Sequence, residues 1–106
     1  MKFGLKDDIL NGITGELAKC QQVKRAVIFG SRARGDYRYS SDIDIAVYAE
    51  GGVPAELYLN LDEAAGIYKI NLVDMDSLEN VELRRSIEGQ GVEIYSGPGE
   101  DWMCRR

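Results

Sequence analysis

The chain has 106 residues, 44% of them hydrophobic, and a formal net charge of −5, which fits one small globular domain. The acidic balance argues against direct nucleic-acid binding and against nonspecific contact with anionic membranes, because both need a positive surface. There is no histidine, so histidine triads and histidine metal sites are excluded, and any chemistry must depend on carboxylates, hydroxyls, Lys, Arg, amides or a bound metal.

The hydrophobic pattern, the N-terminal residues and the cysteine usage indicate a cytoplasmic protein. No apolar run approaches twenty residues, so we expect no membrane span. Asp7 and Asp8 lie where a signal peptide would be apolar. Cys20 and Cys104 are far apart and outside any metal-ligand spacing, so we expect reduced thiols.

The first half of the chain predicts one long helix and two strands. Apolar residues at three- and four-residue steps predict an amphipathic helix over 5–21. Short apolar, β-rich runs predict buried strands over 24–29 and 42–49. Residues 31–34 between them suffice only for a short helical turn, which Gly35 ends.

The second half predicts two further helix–strand units, with helices over 54–66 and 77–88 and strands over 68–75 and 92–95. Pro54 fits the first turn of its helix, where a missing N–H costs nothing. Asp76, with Glu79 three positions later, has the pattern of a capping box and is the predicted N-cap of the last helix.

The alternation predicts an α+β, two-layer α/β domain over residues 1–96, in which helices pack on a small sheet. Residues 97–106 contain Gly and Pro and then a polar end, so we expect a loosely ordered tail. Trp102 is a candidate partner contact within it. A homodimer is a further hypothesis for so small a domain.

Two aspartates begin the second strand. Asp42 and Asp44 are two residues apart, so their side chains share one face of the sheet. Neighbouring carboxylates repel each other unless something neutralises them. Mg²⁺ prefers one or two carboxylates together with phosphate oxygens, so it suits the pair. The alternative is an exposed strand end with two solvated carboxylates.

A Gly-Ser corner ends the first strand. A strand that turns into a helix at Gly30 and Ser31 leaves amides unpaired at the helix start, and these favour an anion such as phosphate. The alternative is a plain turn with Ser31 as N-cap. The spacing is not that of a P-loop. Together, the corner and the aspartate pair predict a site for a nucleoside triphosphate.

The stretch "GSRARGDYRYSSDIDIAV" resembles the signature of the minimal nucleotidyltransferases (MNT) of the DNA polymerase β-like superfamily. The resemblance continues through "YKINLVDMDSL" and "GVEIY" and covers roughly residues 5–95. It implies a small mixed sheet with helices packed against it. The matching positions are Gly30, Ser31, Gly35, Ser41, Asp42 and Asp44.

The resemblance also implies roles. Gly30 and Ser31 would hold the β- and γ-phosphates, with Ser41 in the same nucleotide-binding set. Asp42 and Asp44 would be catalytic and would ligate Mg²⁺. The reaction would transfer a nucleoside monophosphate, most simply from ATP, to a hydroxyl and release pyrophosphate.

Two arginines follow the corner. Arg32 and Arg34 lie where a cationic side chain could reach phosphate. The alternative is that both are solvated surface residues.

One expected carboxylate is missing. Family members usually carry a third acidic residue on the next strand, and here the matching position is Asn71. An amide cannot act as a general base, and loss of such a base commonly costs about 10²–10⁴ in rate. Asp74 lies three residues further on and faces the opposite side of a regular strand, so only a β-bulge would bring it into the site.

Two functions are therefore open. One is a working nucleotidyltransferase, for which the resemblance implies the role of an antitoxin that adenylylates a small helical HEPN toxin. The other is a catalytically degenerate protein that binds nucleotide or partner and retains the fold.

Overall fold

A computed structural model of the protein describes residues 3–38 and 40–97. Within these residues helices and strands alternate as the sequence predicts. In chain order they are Asp7–Lys19 (α1), Val23–Phe29 (β1), Ser31–Arg34 (α2), Ile43–Ala49 (β2), Ala55–Ala64 (α3), Ile70–Asp74 (β3), Val81–Gln90 (α4) and Val92–Ser96 (β4).

The four strands form one mixed sheet in the order β3-β2-β1-β4. β1 pairs antiparallel with both β2 and β4, whereas β2 and β3 run parallel. Helix α3 makes the connection between the parallel strands, which a hairpin could not join. The predicted α+β class is confirmed.

The main core lies between the sheet and the pair α1 and α3. Inward residues of both helices pack against residues of β1, β2 and β3. This set is Ile13, Leu17, Leu57, Leu61, Ile28, Ile43, Ile45 and Ile70. These side chains are at most 3% exposed, so the burial of this face supplies most of the apolar contact that holds the domain together.

The opposite face of the sheet carries a smaller cluster. Val27 and Ala46 pack there with Met75 and with Ile87 of α4. Because strand residues alternate between faces, Asp44 lies on the same face as Ala46, two residues nearer the start of β2. The second face therefore combines an apolar contact with α4 and a polar region at one strand end.

The predicted cap of the last helix is wrong. Asp76 does not begin α4; the N-cap is Asn80, whose side chain accepts a hydrogen bond from the Leu83 amide at 3.0 Å. The carboxylate of Asp74 accepts the Asp76 amide at 3.0 Å, and the Asp74 carbonyl accepts the Ser77 amide at 3.3 Å. These two bonds fix a turn after β3, so the helix starts one turn later than the local pattern suggests.

Across the described ranges, no helix is long and apolar enough to cross a membrane. The tail predicted to be loosely ordered lies outside the described residues from position 98 onward. Trp102 and Cys104 are part of it.

Substitution of Asn80 and of Asp76 distinguishes the observed N-cap of α4 from the predicted one. We expect Asn80→Ala to lower the free energy of unfolding by about 0.5–2 kcal/mol, because it removes the acceptor for the Leu83 amide. Asp76→Ala should stay within about 0.5 kcal/mol of the parent, since within residues 3–38 and 40–97 the hydrogen bonds of Asp76 come from its backbone and not from its side chain. Urea unfolding followed by circular dichroism measures both, and a larger loss for Asp76→Ala would contradict the assignment.

Candidate active site

Three polar side chains converge at the start of the parallel strands β2 and β3. Asp44 and Asn71 are direct partners across the two strands. The Asn71 side-chain nitrogen donates to Asp42 Oδ2 at 3.1 Å and to Asp44 Oδ1 at 2.9 Å. The two carboxylates therefore share one face and point toward a common position, as strand alternation predicts.

The amide of Asn71 occupies the position between the carboxylates. With no cation bound, its two N–H groups offset the repulsion between Asp42 and Asp44, which a third carboxylate in the same place could only increase. Asn71 thus stabilises the carboxylate pair in the absence of a cation.

Asp74 is excluded as a substitute for the missing carboxylate. The β2–β3 register runs without interruption from Ile43–Ile70 to Val47–Asp74, so no bulge turns its side chain round. One oxygen of Asp74 accepts the Val53 amide at 3.1 Å and the other accepts the Asp76 amide. Its carboxylate holds the loop between β2 and α3 and the turn after β3.

Gly30 joins the corner to the carboxylate pair. Its backbone has φ +74° and ψ −153°, a conformation that essentially only glycine adopts. A Cβ at this position would collide with Oδ2 of Asp44. Phe29 pairs with Asp44 between β1 and β2, so the strand partner brings the corner and the carboxylate into direct contact. The two halves of the predicted site are adjacent.

The helical turn after the corner is short and well defined. The Gly30 carbonyl accepts the amides of Ala33 and Arg34, each at 3.1 Å, and the Ser31 carbonyl accepts the Gly35 amide at 2.9 Å. Gly30 itself is the N-cap, so the alternative with Ser31 in that role is wrong. Ser31 is half-buried in the first position, where helical amides have no partner within the helix.

The two arginines differ in environment. Arg34 is exposed, and its Nε lies 3.4 Å from the Asp36 carboxylate. Arg32 is 2% exposed, so the alternative of a solvated surface side chain is wrong for it. Its guanidinium donates to the backbone carbonyls of Phe3 and Ser41. The phosphate contacts predicted for both arginines stay predictions.

Ser41 shapes the loop that leads into the aspartate pair. Its hydroxyl accepts the Arg38 amide at 2.7 Å, and its amide donates to the Arg38 carbonyl at 3.0 Å. Sequence reasoning missed the aromatic part of this region, where Tyr37 and Tyr68 both lie against the Arg32 guanidinium. No local pattern marks Tyr68, because only the fold brings it to Arg32.

The donor set fits a hard divalent cation of the Mg²⁺ type. Two carboxylates converge on one position, and rotation of the Asn71 amide would add a third oxygen there. In residues 3–38 and 40–97 there is no group of three or more Cys, His, Asp or Glu side chains that could hold a metal. A cation here would therefore depend on the pair, on Asn71 and on oxygens from its substrate.

The fold, the corner and the carboxylate pair together define a nucleotidyltransferase. The family described as "Polymerase beta, Nucleotidyltransferase" matches residues 11–99, and the chain belongs to this family. The predicted resemblance is confirmed.

Individual proteins of known sequence or structure are also similar to this chain. A Methanocaldococcus jannaschii protein, named as a putative protein adenylyltransferase, is 37% identical over an alignment of 73 positions that covers 63% of this chain and 72% of that protein. A crystal structure of a toxin–antitoxin with AMP-PNP superposes with a TM-score of 0.72 at 28% identity, covering 89% of this chain and 78% of the other.

A second structure holds a tri-AMPylated Shewanella oneidensis HEPN toxin in complex with an MNT antitoxin. It superposes with a TM-score of 0.65 at 26% identity, covering 90% of this chain and 76% of the other. These proteins are what the chain resembles in sequence and fold.

Substitution of Gly30 tests the contact between corner and carboxylate. Gly30→Ala should destabilise the protein by about 1–3 kcal/mol from backbone strain alone, and the clash should also displace the Asp44 carboxylate. Gly35→Ala is the matched control, since Gly35 also has a positive φ, +95°, but a Cβ there meets no atom of the described residues within 4 Å.

We expect both variants to melt at a lower temperature and only Gly30→Ala to lose binding of Mg²⁺ and ATP. Thermal unfolding and calorimetric titration measure these effects. Equal losses of binding in the two variants would show that strain in α2, and not contact with Asp44, is responsible.

Proposed function

We propose that the protein is a Mg²⁺-dependent nucleotidyltransferase that transfers a nucleoside monophosphate from a triphosphate to a hydroxyl. The observation that carries the proposal is the close approach of Gly30 to Asp44, because it makes a phosphate-binding corner and a metal-binding carboxylate pair parts of one site. Family membership supports the same reaction.

Each part of the site has a role in this proposal. Gly30 and Ser31 bind the β- and γ-phosphates with backbone amides and a hydroxyl, and Ser41 shapes the loop at the same site. Asp42 and Asp44 would hold Mg²⁺, which would supply charge neutralisation for the transferred phosphate. Arg34, exposed on α2, is a cationic side chain available to a phosphate.

The reaction forms a bond between the acceptor oxygen and the α-phosphorus and breaks the bond from that phosphorus to pyrophosphate. The acceptor hydroxyl gives its proton to a carboxylate of the pair, and pyrophosphate leaves. Reactions of this class depend mainly on positioning and electrostatic stabilisation, so the absence of a third carboxylate lowers the rate without removing the mechanism.

ATP and a HEPN-domain protein are the substrates that the relatives favour. One similar structure contains AMP-PNP, another contains a tri-AMPylated HEPN toxin with its MNT antitoxin, and a curated relative is named as a protein adenylyltransferase. By analogy, the chain would act as an antitoxin that adenylylates its partner in the cytoplasm.

A degenerate, binding-only protein is the second candidate, and Asn71 is the observation in its favour. An amide cannot take the proton of the attacking hydroxyl. The relatives support the enzyme over this candidate, because two of them are associated by name with adenylyl transfer.

A transfer assay tests the proposed activity. With labelled ATP, Mg²⁺ and a HEPN-domain protein as acceptor, we expect label on the acceptor protein. Asp42→Asn should lower the rate by about 10²-fold or more, because a charge-neutralising contact is lost. Asp62→Asn, an exposed site on α3, makes the same charge change and should leave the rate unchanged. Binding of Mg²⁺ and ATP by the parent without any transfer would favour the degenerate candidate.

Restoring the third carboxylate tests the role of Asn71. Without Mg²⁺, Asn71→Asp should lower the free energy of unfolding by about 2 kcal/mol or more, because it replaces two bonds to carboxylates with repulsion. Mg²⁺ should then raise its melting temperature more than that of the parent.

Asn11→Asp, on the exposed surface of α1, adds the same charge elsewhere and serves as the control. Thermal unfolding with and without Mg²⁺ measures both the loss of stability and the gain on metal binding. An Asn71→Asp variant as stable as the parent in chelator would contradict the bridging role of the amide.

A further inference from the structure

Asp42 and Asp44 are held in different ways. Asp44 belongs to β2 and has a strand partner on each side, Phe29 in β1 and Asn71 in β3. Asp42 precedes β2, which begins at Ile43. A carboxylate that must point to a fixed position from outside the strand needs a separate support.

Arg32 contacts the peptide immediately before Asp42. Its Nε and Nη2 donate to the Ser41 carbonyl at 3.2 and 2.8 Å, so two adjacent N–H groups of the guanidinium bind one carbonyl oxygen. That carbonyl belongs to the peptide plane joining Ser41 to Asp42. On the other side of Asp42, the Ile43 amide donates to the Lys69 carbonyl at 2.8 Å.

The guanidinium is itself firmly placed. Its Nη1 donates to the Phe3 carbonyl at 2.8 Å, and its carbon lies 5.3 Å from the centre of the Tyr37 ring and 5.0 Å from that of Tyr68. Bonds from a charged donor are stronger than neutral ones, and aromatic faces attract a guanidinium. One buried side chain thus joins the N-terminal turn, α2, the loop before β2 and the segment before β3.

We propose that Arg32 is a positioning residue that fixes the backbone at Ser41 and so directs the Asp42 carboxylate toward the metal. This assignment rests on the proposed function and changes the role predicted for Arg32 from a phosphate contact to an indirect one. A direct phosphate contact and a positioning role differ in one measurable respect, namely whether the loss of affinity depends on Mg²⁺.

Two variants of Arg32 test the paired donors of its guanidinium. Arg32→Met keeps an unbranched apolar side chain without donors, and Arg32→Lys keeps the charge but loses the fork geometry. Arg84→Met is the matched control. Arg84 also bonds two backbone carbonyls, those of Met75 and Leu78 at 2.7 and 3.0 Å, but it does so beyond the opposite end of β3.

Calorimetric titration with ATP, in Mg²⁺ and separately in chelator, is the first measurement. At a temperature where all variants are folded, we expect Arg32→Met and Arg32→Lys to raise Kd at least tenfold in Mg²⁺ and less than twofold in chelator. Arg84→Met should stay within twofold in both. Equal losses with and without Mg²⁺ would assign Arg32 a phosphate contact and overturn the proposal, as would losses no larger than those of Arg84→Met.

Amide hydrogen exchange is the second measurement and needs no ligand. Arg32→Met should speed exchange over residues 40–43 at least tenfold and leave residues 44–49 unchanged, whereas Arg84→Met should leave both unchanged. Unchanged exchange over 40–43 would overturn the positioning role. If the parent bound no ATP in either buffer, the proposed function would fail, and the exchange result would still decide whether Arg32 fixes this backbone.

Discussion

The pairing of β1 with β2 at Phe29 and Asp44 is the contact on which the site depends. It places the end of one strand beside the start of the other, so the backbone at Gly30 reaches the Asp44 carboxylate. Only a residue without Cβ allows that approach, and the same residue needs a conformation that is essentially restricted to glycine. The proposed phosphate-binding corner and the proposed metal-binding pair are thus connected through one position.

Asn71 shows how the chain manages a carboxylate pair without a third acid. The parallel β3 strand brings its amide to both aspartates, and its donors stabilise them when no cation is present. The same side chain can offer an oxygen after rotation, but it cannot accept a proton as a base. Stability of the metal-free site and catalytic power therefore place opposite demands on this position.

Most elements followed from the hydrophobic pattern, because α1 and α3 bury one consistent face and the central strands β1 and β2 are short, continuous apolar runs. The start of α4 did not, because Asp76 and Asn80 both satisfy local capping rules. The choice between them was made by the Asp74 side chain, which holds the Asp76 amide in a turn. Arg32 is a comparable case, since no local pattern distinguishes a buried arginine from the exposed Arg34 two residues later.

The sequence by itself determined the order of helices and strands, the shared face of Asp42 and Asp44, and the absence of a third carboxylate, because these depend on spacing and residue type. The tertiary structure alone decided which groups meet. It set Gly30 against Asp44, placed the Asn71 amide between the carboxylates and turned Arg32 toward Ser41. These contacts join residues distant in sequence, and only strand register and helix packing fix their distances.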